Sequence, residues 1–191
     1  VIACTATPDY LGFPATACIV QEKLGIKHAG AFDLSSACTG FIYGVETAAN
    51  FIRSGLYKNI VVIGTEIISR IIDRNDRNTA VLFGDGAGAV VVSAAEEGKT
   101  KSGIISSYLR SDGSGAEYLK RNSGGTARPF SEGNTDYKDS YLFMNGRQVY
   151  NFAITACSST IIHLLKNNNL HIDEIKYIAP HQANIRIIEG V

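Results

Sequence analysis

An α/β fold, with a parallel sheet flanked by helices, is the class this sequence predicts, and three observations predict it. Segments of strand character alternate with segments whose apolar residues recur at helical spacing. Ile60-Val61-Val62-Ile63-Gly64 is a continuous apolar run, as expected of a strand covered on both faces. Composition agrees: 45% of the 191 residues are hydrophobic and 19 are glycine, which suits a sizeable core with many tight turns.

Taken in order, residues 1–6 read as a buried strand. Pro14 opens a helical stretch through Ala17, Cys18, Val20, Gln21 and Leu24 that stops at Gly25; proline just inside the start and glycine past the end is the expected asymmetry. Residues 31–34 form a short strand. Phe41, Val45, Ala48, Ala49 and Ile52 recur at helical spacing up to a stop at Gly55. The apolar run 60–64 follows.

Phe83-Gly84-Asp85-Gly86-Ala87-Gly88-Ala89 then leads into Val90-Val91-Val92, read as another buried strand, with the glycines serving a tight turn and close backbone packing. Residues 103–109 are expected as a strand and 111–140, polar and glycine-rich, as a long excursion or flap. Residues 144–165 carry the longest helical pattern. Tyr177-Ile178-Ala179-Pro180 reads as a strand ending at His181, with a helix starting near Asn184. The break near 96–102, followed by a second series of strand, flap, helix and strand, divides the chain into two similar halves, 1–97 and 98–191.

Charge and cysteine usage exclude several function classes. With 18 basic and 18 acidic residues, no global field favours nucleic acid or an anionic membrane. No apolar run approaches the roughly 20 residues of a membrane span, and no signal peptide is present. Cys4, Cys18, Cys38 and Cys157 are scattered, which points to a reduced cytoplasmic setting and away from a disulfide framework or zinc site. Asp73, Asp76 and Asp85 lack a metal-ligand spacing. The opening on a strand already in progress, the single methionine at Met144 and the closing on a helix barely begun are expected of a segment of a longer polypeptide.

Two residues carry possible chemistry. Cys38 follows Ser35-Ser36-Ala37, small enough for a sharp strand-to-helix turn, and precedes a helical pattern. A thiol there meets unpaired backbone N–H groups and the positive end of the helix dipole, which favour a thiolate and a neighbouring oxyanion. Gly40 permits close approach by a substrate or backbone. On position alone, nucleophile and buried small hydrophobe stand level; Cys4, Cys18 and Cys157 fit the second description. His181 lies at an expected strand end, where α/β proteins concentrate their sites, whereas His28, His163 and His171 read as surface or satisfied residues. The glycines of 83–88 are followed by a valine-rich strand, so they do not form a dinucleotide fingerprint.

Three stretches together carry a family resemblance: Ser36-Ala37-Cys38-Thr39-Gly40-Phe41, the run Asp76-Arg77-Asn78-Thr79-Ala80-Val81-Leu82 on through Phe83-Gly84-Asp85-Gly86-Ala87-Gly88-Ala89, and Pro180-His181-Gln182-Ala183-Asn184-Ile185-Arg186. The chain resembles β-ketoacyl-acyl carrier protein synthases of class III, over nearly its whole length. The resemblance implies a thiolase-like layered α/β/α/β/α fold of two pseudo-duplicated halves, here truncated at both ends, with the nucleophile on 1–97 and the catalytic histidine on 98–191.

It further implies an acyltransferase that initiates fatty acid synthesis. Cys38 takes an acyl group from acyl-CoA, malonyl-acyl carrier protein loses carbon dioxide, and the resulting enolate attacks the acyl-cysteine, with His181 stabilising the enolate. A modest downward shift of the Cys38 pKa is expected from helix-end placement. Phe13 matches the family phenylalanine that reaches into a partner's acyl pocket, its bland reading being a hydrophobic staple. Phe83 and Met144 border the substrate channel, and Gln182, Ala183, Asn184, Ile185 and Arg186 match the carrier-protein segment. No cofactor or metal is implied; CoA and phosphopantetheine thioesters are substrates, and the partners are acyl-CoA, malonyl-acyl carrier protein and a second copy in a cytoplasmic homodimer.

The family's third catalytic residue, an asparagine beyond the histidine, has no counterpart in this chain, and Gly133-Asn134-Thr135-Asp136 does not replace it. The separated segment is accordingly expected to be inactive. The alternatives are a class III-like ketosynthase of secondary metabolism and a non-catalytic dimer partner or carrier-protein-binding paralogue.

Overall fold

Strand β1 (Ile2–Cys4) runs between two parallel neighbours, β2 (Phe32–Leu34) and β3 (Asn59–Ile67), pairing Ala3 with Asp33 on one side and with Ile63 on the other. This interior position accounts for its unbroken burial. The computed structural model describes residues 1–95, 102–130 and 137–191, and these fall into two compact units. The first comprises Val1–Ile67 with Asp85–Ser107, the second Ile68–Gly84 with Tyr108–Val191.

In the first unit the sheet order is β2-β1-β3-β4, with β4 spanning Asp85–Ser93. Helix α1 (Thr16–Lys23) joins β1 to β2, and α2 (Gly40–Arg53) joins β2 to β3. These two connections step across the sheet in opposite directions, so right-handed crossovers place the helices on opposite faces. The core divides accordingly. Ile2, Cys4, Ile60 and Val62 pack against Val45, Ala48 and Phe51 of α2, while Val1, Ala3, Val61 and Ile63 pack with Ala17 and Val20 of α1. Alternating residues of each strand thus serve alternate layers, as the pleat requires.

Helix ends follow the expected chemistry, with one exception. Gly25 (φ 70°) and Gly55 (φ 77°) adopt the left-handed conformation that closes α1 and α2. Pro14, however, lies ahead of α1, which starts at Thr16. No side chain of its own caps that end; Asp33 of β2 does so, accepting from the N–H groups of Thr16 and Ala17 at 2.8 and 2.7 Å.

The sheet is mixed, not wholly parallel. β4 runs antiparallel to β3 in continuous register from Asn59↔Ser93 to Ile67↔Asp85. Gly86 and Gly88 sit inside this strand, opposite Glu66 and Gly64, and do not form a tight turn. Nor do they serve close packing: a Cβ on Gly84, Gly86 or Gly88 would meet nothing within 4 Å. The expected buried valine strand is exposed, Val91 to 64%, and among the described strands β4 pairs with β3 alone. Residues 103–109 form no strand, since no described strand pairs with them.

The second unit contains α3 (Arg77–Ala80), an antiparallel ribbon of β5 (Leu119–Arg121) with β6 (Leu142–Met144), α4 (Gly146–Asn167) and α5 (Ile185–Gly190). The described residues of the 111–140 excursion therefore include regular structure. Arg121 Nε donates to the Ser140 carbonyl at 2.7 Å, and Arg128 pairs with Asp139 at 2.6 Å. Gly133-Asn134-Thr135-Asp136 lies outside the described residues. Met144 ends β6, and Asn145 caps α4 by accepting from Gln148 N–H. Tyr177–Pro180 is not a strand, so His181 stands on a connecting segment ahead of α5. Tight packing of α5 on α4 is visible at Gly190, where a Cβ would stand 2.7 Å from Ile154 Cδ1.

Candidate active site

Cys38 occupies the turn between β2 and α2, in a single 3-10 turn formed by Ala37–Thr39. The small residues ahead of it do what their size predicts. Ser36 accepts from the Thr39 N–H at 3.1 Å and from its hydroxyl at 3.0 Å, and Ala37 takes φ 42°. A non-glycine residue in the left-handed region costs about 1 kcal/mol or more, so the turn is held by its surroundings. The outcome is an exposed cysteine at the sharpest point of the strand-to-helix reversal.

Its electrostatics depart from expectation. The Cys38 thiol is raised above its ordinary pKa, first because protein packed around the sulfur disfavours the charged form. Its own backbone N–H opposes this, and the Glu66 carboxylate adds to the rise. The residue as a whole still reaches solvent. Burial of the sulfur thus outweighs what the backbone N–H at the turn supplies.

Glu66 itself was not singled out in the sequence, although a carboxylate inside an apolar strand was a signal. Its Oε1 accepts from Ala6 N–H at 2.7 Å and its Oε2 from the Thr7 hydroxyl at 2.6 Å. Thr7 Oγ1 in turn accepts from Ile67 N–H at 2.8 Å. The carboxylate therefore ties the segment after β1 to the end of β3. Gly40 admits the β1 strand, since a Cβ there would stand 3.3 Å from Cys4 Cβ.

Helix α2 presents Phe41, Ile42 and Val45 to an open cleft of about 210 Å³ lined also by Ile104, Ser106 and Ser107. Glu46 forms its polar wall. It accepts from Asn50 Nδ2 at 2.6 Å and pairs with Arg53 at 3.3 Å through Oε1. The nearby Ser107 hydroxyl is the main reason its carboxyl lies below the usual range, although Oε2 has no partner at hydrogen-bond geometry among the described residues. Phe13 is 87% exposed, so it is no staple for α1.

In the second unit His181 is exposed, and Gln182 Nε2 turns back to donate to the Pro180 carbonyl at 2.6 Å. Asn184 caps α5 through Arg186 N–H at 2.9 Å, which leaves Ile185 (64% exposed) and the Arg186 side chain at the surface. Phe83 and Met144 are half-buried. Asp76 caps α3: its carboxyl is held below the usual range chiefly by the Asn78 N–H and then by the Thr79 hydroxyl.

Of the remaining cysteines, only Cys4 is buried; Cys18 is exposed and Cys157 half-buried, because each helix turns part of its face to solvent. His163 stacks on Tyr108 with ring centroids 3.7 Å apart, and His171 pairs with Asp173 at 3.0 Å. Among the described residues no cluster of three or more histidine, cysteine, aspartate or glutamate side chains is arranged for a metal ion. No described helix is long and apolar enough to cross a membrane.

Known proteins resemble this chain throughout. The family described as 3-oxoacyl-[acyl-carrier-protein (ACP)] synthase III matches residues 32–113. A β-ketoacyl-acyl carrier protein synthase III of Bacillus cereus is 47% identical over 190 residues, covering 100% of this chain and 54% of its own length. That of Clostridium acetobutylicum is 47% identical over 189 residues, covering 99% and 56%. The solved structure of the Thermus thermophilus synthase is 41% identical with a TM-score of 0.86, covering 99% of this chain and 56% of that one; its counterpart from Aquifex aeolicus is 39% identical, also at 0.86, covering 99% and 55%. The chain thus spans about half the length of the curated relatives it matches, and its fold is theirs, a thiolase-like α/β architecture.

Proposed function

We propose that this chain, which resembles 3-oxoacyl-acyl carrier protein synthases III along its length, supplies the nucleophile and the histidine of an enzyme that starts fatty acid synthesis by decarboxylative condensation. The observation that carries this reading is the exposed Cys38 in the strained turn ahead of α2, within a chain nearly half identical to named synthases along its whole length.

The Cys38 sulfur attacks the thioester carbonyl of an acyl-CoA, CoA leaves with the thiol proton, and an acyl-cysteine remains. A malonyl thioester on acyl carrier protein then loses carbon dioxide, and the electron pair of the broken bond becomes an enolate. That carbon attacks the acyl-cysteine, expelling the thiolate and giving 3-oxoacyl-acyl carrier protein. Because decarboxylation generates the carbanion, the enolate oxygen needs a hydrogen-bond donor more than the substrate needs a strong base, and His181 fills that part.

The raised Cys38 pKa fits a resting thiol that reacts when a bound thioester accepts its electrons, in place of a standing thiolate. Residues 1–97 carry the nucleophile and 98–191 the histidine. Phe83 and Met144 line the channel, and the segment Gln182, Ala183, Asn184, Ile185 and Arg186 meets the carrier protein, with the Arg186 charge suited to its phosphopantetheine arm. The projection of Phe13 into solvent supports a part in a homodimer. Cytoplasmic location and independence of a cofactor complete the reading.

Incubating the full-length protein with radiolabelled short-chain acyl-CoA tests it. Label is expected on Cys38 and absent in Cys38→Ser, while His181→Ala retains the label and loses condensation. A panel of starters that leaves no label on Cys38 overturns the assignment.

A further inference from the structure

Helix α2 meets the sheet through two glycines, and Cys4 fills the space they leave. Gly40 and Gly44 stand one helical turn apart on the face turned to β1, and both are buried. A Cβ on Gly40 would stand 3.3 Å from Cys4 Cβ. One on Gly44 would stand 2.9 Å from Val62 Cγ1 and closer still to Cys4 Sγ, a separation real Cβ atoms do not show.

Neither neighbour can yield cheaply. Cys4 and Val62 belong to paired strands and are 4% and 0% exposed. Glycine inside a helix costs roughly 0.5–1 kcal/mol relative to alanine, so two of them in the first turns weaken α2 unless close approach offsets the loss. The sulfur seated there is a neutral thiol: burial pushes the Cys4 pKa up, against a smaller pull from the Gly44 backbone amide.

The same first turns of α2 follow directly on Cys38. Only Thr39 separates Cys38 from Gly40, and the turn that holds Cys38 is tight and strained at Ala37, with little slack to absorb a shift of the helix. Resting on the reading of Cys38 as the acyl acceptor, we propose that Cys4 is a positioning residue whose side chain, seated between Gly40 and Gly44, sets the height of α2 on the sheet and thereby the place of the Cys38 sulfur. Cys4 performs no chemistry.

Peptide-resolved alkylation with iodoacetamide in the full-length protein tests this. Exposed Cys18, on the helix packed against the opposite face of the sheet, serves as the internal reference. Gly44→Ala is expected to change the Cys38 rate about tenfold at constant Cys18 rate, since thiolate fraction and access both follow the place of the sulfur in its turn and a change of about one pKa unit is tenfold in thiolate. The double variant Cys4→Ala/Gly44→Ala, which removes the closer obstructing atom and leaves Val62 Cγ1, should recover part of the way toward the rate of Cys4→Ala alone, the signature of direct coupling.

A folded Gly44→Ala protein with the wild-type Cys38 rate overturns the proposal, and so does failure of the double variant to rescue. If Gly44→Ala does not fold, Cys4→Ala and the near-isosteric Cys4→Ser decide the matter. A Cys38 rate altered in the first and kept near wild type in the second supports the proposal, and any other pattern overturns it. Alkylation needs no acyl donor, so failure of acyl labelling with this coupling intact would count against the nucleophile reading alone.

Discussion

Asp33 and Ala17 are joined by a 2.7 Å hydrogen bond from the Ala17 N–H to Asp33 Oδ1, with the Thr16 N–H on the other carboxylate oxygen at 2.8 Å. A strand residue thus caps a helix that lacks a cap of its own, and it does so five residues before Cys38. Replacing Asp33 with alanine leaves two backbone donors without their acceptor. Asp33→Ala is expected to lower stability by about 1–2 kcal/mol, with Asp33→Asn losing less, measured by urea denaturation. An unchanged midpoint for Asp33→Ala would show that the cap contributes nothing.

The pH dependence of Cys38 alkylation follows from the direction of its shift. Packing and the Glu66 carboxylate both disfavour the thiolate, so the midpoint is expected above the ordinary thiol value of about 8.5. Glu66→Gln removes the negative charge and should move the midpoint down, by less than the burial contribution. Peptide-resolved alkylation across pH 6–10 reads both values, and a midpoint below that of free cysteine would refute the stated direction.

Glu46 makes stability fall in acid. Its carboxyl is depressed by the nearby Ser107 hydroxyl, by the hydrogen bond from Asn50 and by Arg53. The folded protein therefore binds that proton more weakly than the unfolded chain. The contribution is fully present above the unfolded pKa, about 4.3, and is lost as pH falls through the lower folded value. Glu46→Gln should reduce stability at pH 7 by on the order of 1 kcal/mol and narrow the gap to wild type as the pH is lowered through that window. A gap that stays constant from pH 7 to pH 3 would contradict the linkage.

Ala37 gives the strain ahead of Cys38 a direct test. Ala37→Gly relieves the left-handed strain while loosening the unfolded chain, so denaturant stability should change by no more than about 0.5–1 kcal/mol. Ala37→Val places a β-branched residue at φ 42° and should cost more than about 1 kcal/mol. Equal stability of the two variants would show that the turn adopts another conformation in solution.

Much of the local structure was legible because it depends on near neighbours. The spacing of Phe41, Val45, Ala48, Ala49 and Ile52 marks α2, Gly25 and Gly55 end their helices as left-handed residues, and Asn184 caps α5 where a helix start was expected. Cys38 was placed correctly in a sharp turn because Ser35, Ser36 and Ala37 are small. Tyr177–Pro180 and residues 103–109 read as strands on the same local grounds and are not, since a strand exists only where another strand pairs with it.

By itself the sequence determined which segments are helical, where they stop, where Cys38 sits in its turn and which synthases the chain resembles. Tertiary structure alone decided the antiparallel placement of β4, the capping of α1 by Asp33, the bond from Thr7 to Glu66 across 59 positions and the seating of Cys4 against Gly44. It also reversed the expected direction of the Cys38 pKa. The physical reason is common to all of these. Dihedral preference and hydrophobic period act over a few residues, whereas burial, charge proximity and strand pairing are set by groups far apart in the chain that only the completed sheet brings into contact.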